Sequence, residues 1–289
     1  MHSDQSDPKE SQTPDASIYR GMTRAELDAG YNNTEAVHDS AQHMDLWMSR
    51  SADVRRGKNA VLNLQYGPNP ANRLDFFKAG LPDRGLFIFI HGGYWQRNNK
   101  EMFAFVAEGL CASHVNVATV GYTLAPEASL SEIVAEIALA IEHLLRENHR
   151  LGFDASKIYI GGWSAGGHLS AVLAEHPSVN GFVSISGIFD LEPISKCYLN
   201  QKLKLSDAEI FDLSPINRHL DYNKKVLLFA GELELPELTR QSRDYASHLS
   251  GSHKDLRHLL VANKNHYSVL DELRLKDGVI AREILHLLD

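Results

Sequence analysis

Gly162-Trp163-Ser164-Ala165-Gly166 follows the apolar, β-branched run Ile158 to Ile160, and the reading of this 289-residue chain turns on that stretch. A serine hydroxyl becomes a usable nucleophile where a tight strand-to-helix turn holds it clear of a sheet, and glycines flank it because a side chain would clash there. Gly-x-Ser-x-Gly by itself arises by chance in many chains. Here a helix-like stretch, Gly167 to Glu175, follows it, and His91-Gly92-Gly93-Tyr94-Trp95 ends another apolar run, Leu86 to Ile90, further upstream. Two strand-end motifs of one reaction type say far more than either alone.

Working outward, the apolar runs Val61 to Tyr66, Leu74 to Phe77, Leu86 to Ile90, Val115 to Gly121, Ile158 to Ile160, Phe182 to Ser186, Val226 to Ala230 and Leu256 to Val261 read as strands. Helical patterns separate most of the later ones: Lys100 to Cys111, Ser131 to Arg150, Gly167 to Glu175, Pro236 to Leu249 and Lys276 to Leu288. Strands that are apolar throughout and alternate with helices indicate an α/β architecture, a mostly parallel central sheet of about eight strands covered on both faces. Thr23 to Asp28 and Asp39 to Arg55 carry helix-like apolar spacing (Met44, Trp47, Met48) and are expected to pack on the main domain. Residues 188–222 show weak periodicity and exceed an ordinary connection, so they are expected to form a small cap over the site. Residues 1–17, polar and without periodicity, read as a disordered tail, leaving 18–289 as a single domain.

Composition narrows the functional classes. A hydrophobic share of 43% suffices for one large core, and a formal charge of −8 with pI near 6.0 offers no basic field to a polyanion, so no nucleic-acid partner is expected. No window is long and apolar enough to span a membrane and the N-terminus lacks a signal-like apolar region, so a cytoplasmic protein is expected. Cys111 and Cys197 read as two reduced structural thiols. No His/Cys/Asp cluster has metal-ligand spacing, and no metal or other cofactor is expected. The expected partner is a small-molecule substrate, with a homodimer left open.

A serine nucleophile needs a base, and the base needs an acid to hold its tautomer. His266, in Asn263-Lys264-Asn265-His266-Tyr267, follows the last strand and precedes the last helix, which puts it at the same sheet edge as Ser164. His248, His253 and His258 fall on the preceding helix, its loop and the strand itself, and His143, His149 and His286 on helix faces. For the acid, Glu234 sits in mid-loop after the strand Val226 to Ala230, with Glu232 and Glu237 beside it and Asp190 on an earlier loop as rivals. The glycines of His91-Gly92-Gly93 let backbone N–H groups face a substrate, so Gly92, Gly93 and Ala165 are expected to form an oxyanion hole, with His91 structural. Tyr94, Trp95, Trp163 and Tyr267 flank these positions and are the candidate substrate contacts.

With those residues quoted, the chain resembles the kynurenine formamidase (arylformamidase) group of α/β-hydrolases, close to the hormone-sensitive-lipase-like esterases. The likeness runs from about Tyr31 to Leu288. His91-Gly92-Gly93-Tyr94-Trp95 looks like the group's oxyanion motif, and Pro236-Glu237-Leu238-Thr239-Arg240-Gln241-Ser242 is similar to a run that follows the group's acid, which maps that acid onto Glu234. The group commonly has Asp there; this chain has a residue one methylene longer. Tyr31-Asn32-Asn33 and Ser186 to Leu191 resemble family segments of mainly structural meaning. The resemblance implies an α/β-hydrolase fold, His266 as base, and cleavage of an aryl formamide such as N-formylkynurenine through an acyl-enzyme, as in tryptophan catabolism. A carboxylesterase for short-chain esters is the alternative, and a hydrolase-like receptor that binds without turnover is a third class.

Overall fold

The computed structural model describes residues 16–221 and 223–288. Nearly all of the stretch read as a disordered tail therefore lies outside the described residues.

Eight strands, β1 (Ala60–Gln65), β2 (Arg73–Phe77), β3 (Leu86–Ile90), β4 (Asn116–Val120), β5 (Ile158–Trp163), β6 (Gly181–Ile185), β7 (Lys225–Gly231) and β8 (Leu256–Val261), form one sheet in the order β1-β2-β4-β3-β5-β6-β7-β8. β2 runs antiparallel to β1 and β4, and every later pairing is parallel. Each strand expected from the sequence is present. The reason is visible in the side chains: β3 to β6 are buried at every position, so both faces must be apolar. Ile88 and Ile90 of β3 point into one core cluster and Phe87 and Phe89 into the other, as the two-residue period of a strand requires.

Helices α1 (Arg24–Gly30), α2 (Asn33–Ala36) and α3 (Ser40–Arg55) precede the sheet. They are followed by α4 (Ala107–Cys111), α5 (Leu130–Leu151), α6 (Ala165–Leu173), α7 (Glu192–Ser195), α8 (Asn200–Leu203), α9 (Asp207–Asp212), α10 (Pro236–Ser250), α11 (Asp271–Arg274) and α12 (Val279–Leu288). The apolar faces of α5, α6 and α10 enter the first cluster, and those of α4 and α12 the second. Local chemistry sets the ends. A reciprocal cap between Ser129 and Glu132 starts α5 and Gly152, at φ +75°, stops it, while α10 opens on Pro236, whose missing N–H costs nothing in a first turn.

Three departures from the sequence reading have simple causes. The run from Lys100 to Cys111 begins as a 3-10 helix, Lys100–Val106, whose residues Met102 to Val106 are all buried and so leave no amphipathic period to read. Helix α6 starts at Ala165, directly after Ser164, because the turn residue itself caps the helix. Within 188–222, α7, α8 and α9 hold 4, 4 and 6 residues, too short for periodicity to register.

Candidate active site

Ser164 joins the end of β5 to the start of α6 at φ 57°, ψ −119°, a conformation that L-residues rarely adopt and that costs of order 1–3 kcal/mol. Its N–H donates to Ile185 O at 2.8 Å, and its carbonyl accepts from His168 N at 3.1 Å, so both neighbours lock the turn. The flanking glycines are required by contact: a Cβ on Gly166 would sit 2.0 Å from Ile90 O, and one on Gly162 2.4 Å from the Gly166 backbone. Sheet and helix can meet this closely only without side chains.

His266 and Glu234 reach the same edge from the loops after β8 and β7. His266 Nδ1 lies 2.8 Å from Glu234 Oε2, and both side chains are buried. The other carboxylate oxygen, Oε1, accepts from the Gly231 N–H and the Ser186 hydroxyl, each at 2.5 Å. An ionised carboxylate only accepts, so the His266 proton sits on Nδ1 and Nε2 is left with its lone pair. Trp163 Nε1 donates to the His266 carbonyl at 2.8 Å, tying His266 to the end of β5. The rivals are engaged elsewhere. Asp190 accepts from the Tyr19 hydroxyl at 2.8 Å, Glu237 pairs with Arg240 at 2.8 Å, and Glu232 accepts from Asn263 N at 3.2 Å.

Ser164, His266 and Gly93 line one small cavity of about 80 Å³, with Asn33, Thr34, Met44, Trp47, Arg97, Asn98, Trp163 and Tyr267. Gly93, at φ +119°, makes a tight turn whose carbonyl accepts from Gln96 N and Arg97 N. A Cβ on Gly92 would meet Trp163 O at 2.6 Å and Ser164 Cβ at 3.0 Å, so this turn and the elbow are in contact. The Gly92 carbonyl is held by His91 Nδ1 at 2.9 Å and Asn98 Nδ2 at 3.1 Å. Since a trans peptide sets its C=O and N–H in opposite directions, those two donors also aim the Gly93 N–H away from themselves. Among the described residues neither Gly93 N–H nor Ala165 N–H has an acceptor. His91 is wholly buried, stacked on Tyr122 at 4.3 Å, and desolvation pulls its pKa down to about 4, which keeps it a neutral donor.

Of the four aromatics expected at the substrate, Trp163 and Tyr267 line the cavity; Tyr94 and Trp95 do not. Both of the latter have left-handed backbones, at φ 52° and 60°, which turn them into the core. Tyr94 is hydrogen-bonded to Asn33 and Tyr31, and Trp95 lies edge-on to His168 at 5.0 Å. The segment 188–221 packs against α6 and α10, with Gln241 Oε1 accepting from Phe189 N and Asp190 N, and among the described residues it contributes none to this cavity. The outer wall comes instead from α2 and α3. Trp47 of α3 meets Trp163 edge-on at 5.3 Å and stacks on Tyr267 at 5.8 Å. The sequence offered one signal for this, the helical spacing of Met44, Trp47 and Met48, but none for where that helix docks.

A parallel sheet with a strained serine elbow at the carboxyl end of β5 and a carboxylate–imidazole couple on the following loops defines an α/β-hydrolase, and the chain is an enzyme of that hydrolase type. It belongs to the BD-FAE family, whose model matches residues 74–220, just over half of the chain. It is 24% identical to a kynurenine formamidase of Danio rerio across 94% of this chain and 99% of that protein, and 26% identical to one of Salmo salar across 89% and 94%. A crystal structure from Silicibacter sp. tm1040, provisionally named a thioesterase, superposes with a TM-score of 0.82 at 28% identity, covering 90% of this chain and 99% of that one. Among the described residues no helix is long and apolar enough to cross a membrane, and no group of three or more His, Cys, Asp or Glu side chains is placed to hold a metal ion.

Proposed function

We propose that the chain is a serine hydrolase that cleaves an aryl formamide, N-formylkynurenine being the leading example, to formate and the free amine. The observation that carries the mechanism is the cavity shared by strained Ser164 and by His266, whose Nδ1 is engaged by buried Glu234. Ser164 Oγ adds to the formyl carbon as its proton passes to His266 Nε2, and Glu234 steadies the imidazolium. The N–H groups of Gly93 and Ala165 meet the charge on the oxyanion. Collapse breaks the C–N bond, the imidazolium returns the proton to the leaving nitrogen, and a formyl ester of Ser164 remains. Water then adds to that ester with His266 again taking the proton, which passes to Ser164 Oγ as formic acid leaves.

Two features support the substrate class. The named formamidases align along nearly the whole chain, and a cavity of about 80 Å³ accepts a formyl or acetyl group. A benzene-sized ring needs about 150 Å³, so the aryl group lies outside this cavity, at its mouth. The same small volume also favours a second reading, an esterase for short acyl chains. Formate release and kcat/KM for N-formylkynurenine, set against p-nitrophenyl acetate and butyrate, decide between them. Efficient ester turnover with no formate from aryl formamides would sink the formamidase reading.

A further inference from the structure

Two buried side-chain atoms on residues lining the Ser164 cavity have no hydrogen-bond partner among the described residues: Asn33 Oδ1 and Trp47 Nε1. The orientation of the Asn33 amide follows from the hydrogen count. The Tyr94 hydroxyl has one proton, which it donates to Tyr31 O at 2.7 Å, so toward Asn33 it can only accept. The amide must therefore present Nδ2 to Tyr94, at 2.9 Å, and Oδ1 is the end left unspent. The scaffold behind is itself fixed. Tyr31 O also takes the Asn33 N–H at 3.1 Å, and the Tyr31 hydroxyl donates to Glu237 and accepts from Gln241. Asn33 is only 3% exposed, so water does not freely satisfy that oxygen.

A buried, unpaired, rigidly held acceptor beside a nucleophile is unfavourable until a ligand donates to it. Trp47 Nε1 is a donor and offers nothing to an N–H. We propose that Asn33 Oδ1 accepts the N–H of the scissile amide and so selects amide over ester leaving groups, an inference that rests on the formamidase reading above. An ester oxygen has no proton to give and would set lone pairs against Oδ1. The contact matters most as the bond breaks. When Ser164 adds to the carbonyl, the nitrogen becomes pyramidal, and its lone pair must turn toward His266 to receive the proton. Holding the N–H at Asn33 fixes that rotation.

The test compares formanilide with phenyl formate, which share acyl group and ring and differ only in N–H against O. Asn33→Ala is expected to lower kcat/KM for formanilide about 10–100-fold more than for phenyl formate. Ester turnover reports that the site remains folded. Tyr94→Phe keeps Oδ1 but removes the acceptor that orients the amide, and should move the amide-to-ester ratio the same way by a smaller factor. Should Asn33→Ala lose ester turnover altogether, Tyr94→Phe decides by that ratio. Wild type active on both substrates, with the ratio unmoved or raised in the variants, overturns the role of Asn33 alone. Wild type that cleaves phenyl formate but not formanilide overturns the formamidase reading and this inference with it.

Discussion

Glu234 divides its two oxygens between different tasks, Oε2 lying 2.8 Å from His266 Nδ1 while Oε1 is anchored by Ser186 and the Gly231 N–H. A glutamate is one methylene longer than an aspartate, and its extra freedom is removed by those two donors. Ser186 is itself held at φ 55°, so β6 as well as β7 sets the position of the carboxylate.

Glu234→Gln keeps the size of this side chain but lets an amide N–H face the imidazole, favouring the unproductive tautomer. The expected loss in kcat is about 10²–10⁴-fold, whereas Asp190→Asn, whose residue bonds Tyr19 and not His266, should change it little. Ser186→Ala should fall between them, since it removes one of the two donors to Oε1 and leaves the carboxylate and the Gly231 N–H in place. Steady-state kinetics on folded variants checks the ranking, and the reverse order for Glu234 and Asp190 would move the acid to the earlier loop.

Ser164→Ala should abolish nearly all turnover, and a phosphonate or sulfonyl fluoride should label Ser164 in wild type, as peptide mass spectrometry would read. A residual rate of about 10³–10⁴ over water could survive through the oxyanion donors and binding. Labelling of another serine with Ser164 intact would remove the assignment.

Much of the candidate site was legible because Ser164, Glu234 and His266 each lie at or shortly after the end of an apolar strand, in that chain order. The central strands β3 to β6 read as short, mostly apolar runs because they are buried on both faces. What it missed depends on contacts remote in sequence. Asn33 meets Tyr94 across 61 residues, and no local pattern says that α3 will close the cavity with Trp47. Tyr94 and Trp95, expected beside the substrate, do not line this cavity: adjacency to a glycine motif carries no information on backbone hand, and both have a left-handed φ.

His91 and His168 make stability sensitive to acid. Both are wholly buried, and desolvation lowers each pKa from 6.5 to about 4 against the opposing effect of one backbone hydrogen bond. Between those values the unfolded chain binds protons that the fold excludes, so their contribution is complete above pH 6.5 and is lost as pH falls toward 4. Each should cost about 2 kcal/mol by pH 5. Urea unfolding at pH 7.5 and pH 5 would measure the drop. His168→Gln, which can still donate to Leu213 O, should be less stable at pH 7.5 yet show a shallower fall; an unaltered slope would exclude His168 as a source.

Acyl range should be set by the wall that α3 places over Ser164. Acyl chains longer than about four carbons are expected to be poor substrates, because each further methylene must displace packed side chains and changes specificity by about 10–200-fold. Trp47 and Met44 both belong to that wall, but Trp47 is 1% exposed and braced by Trp163 and Tyr267, so Trp47→Ala should cost about 3–5 kcal/mol of stability. Met44 is only half-buried and can be shortened more safely. Met44→Ala should raise kcat/KM for p-nitrophenyl butyrate or hexanoate relative to the acetate by about 3–10-fold, while leaving the melting temperature within a few degrees. A chain-length profile unmoved by Met44→Ala would show that the acyl group does not enter this cavity, and that Met44 meets the leaving group or nothing at all.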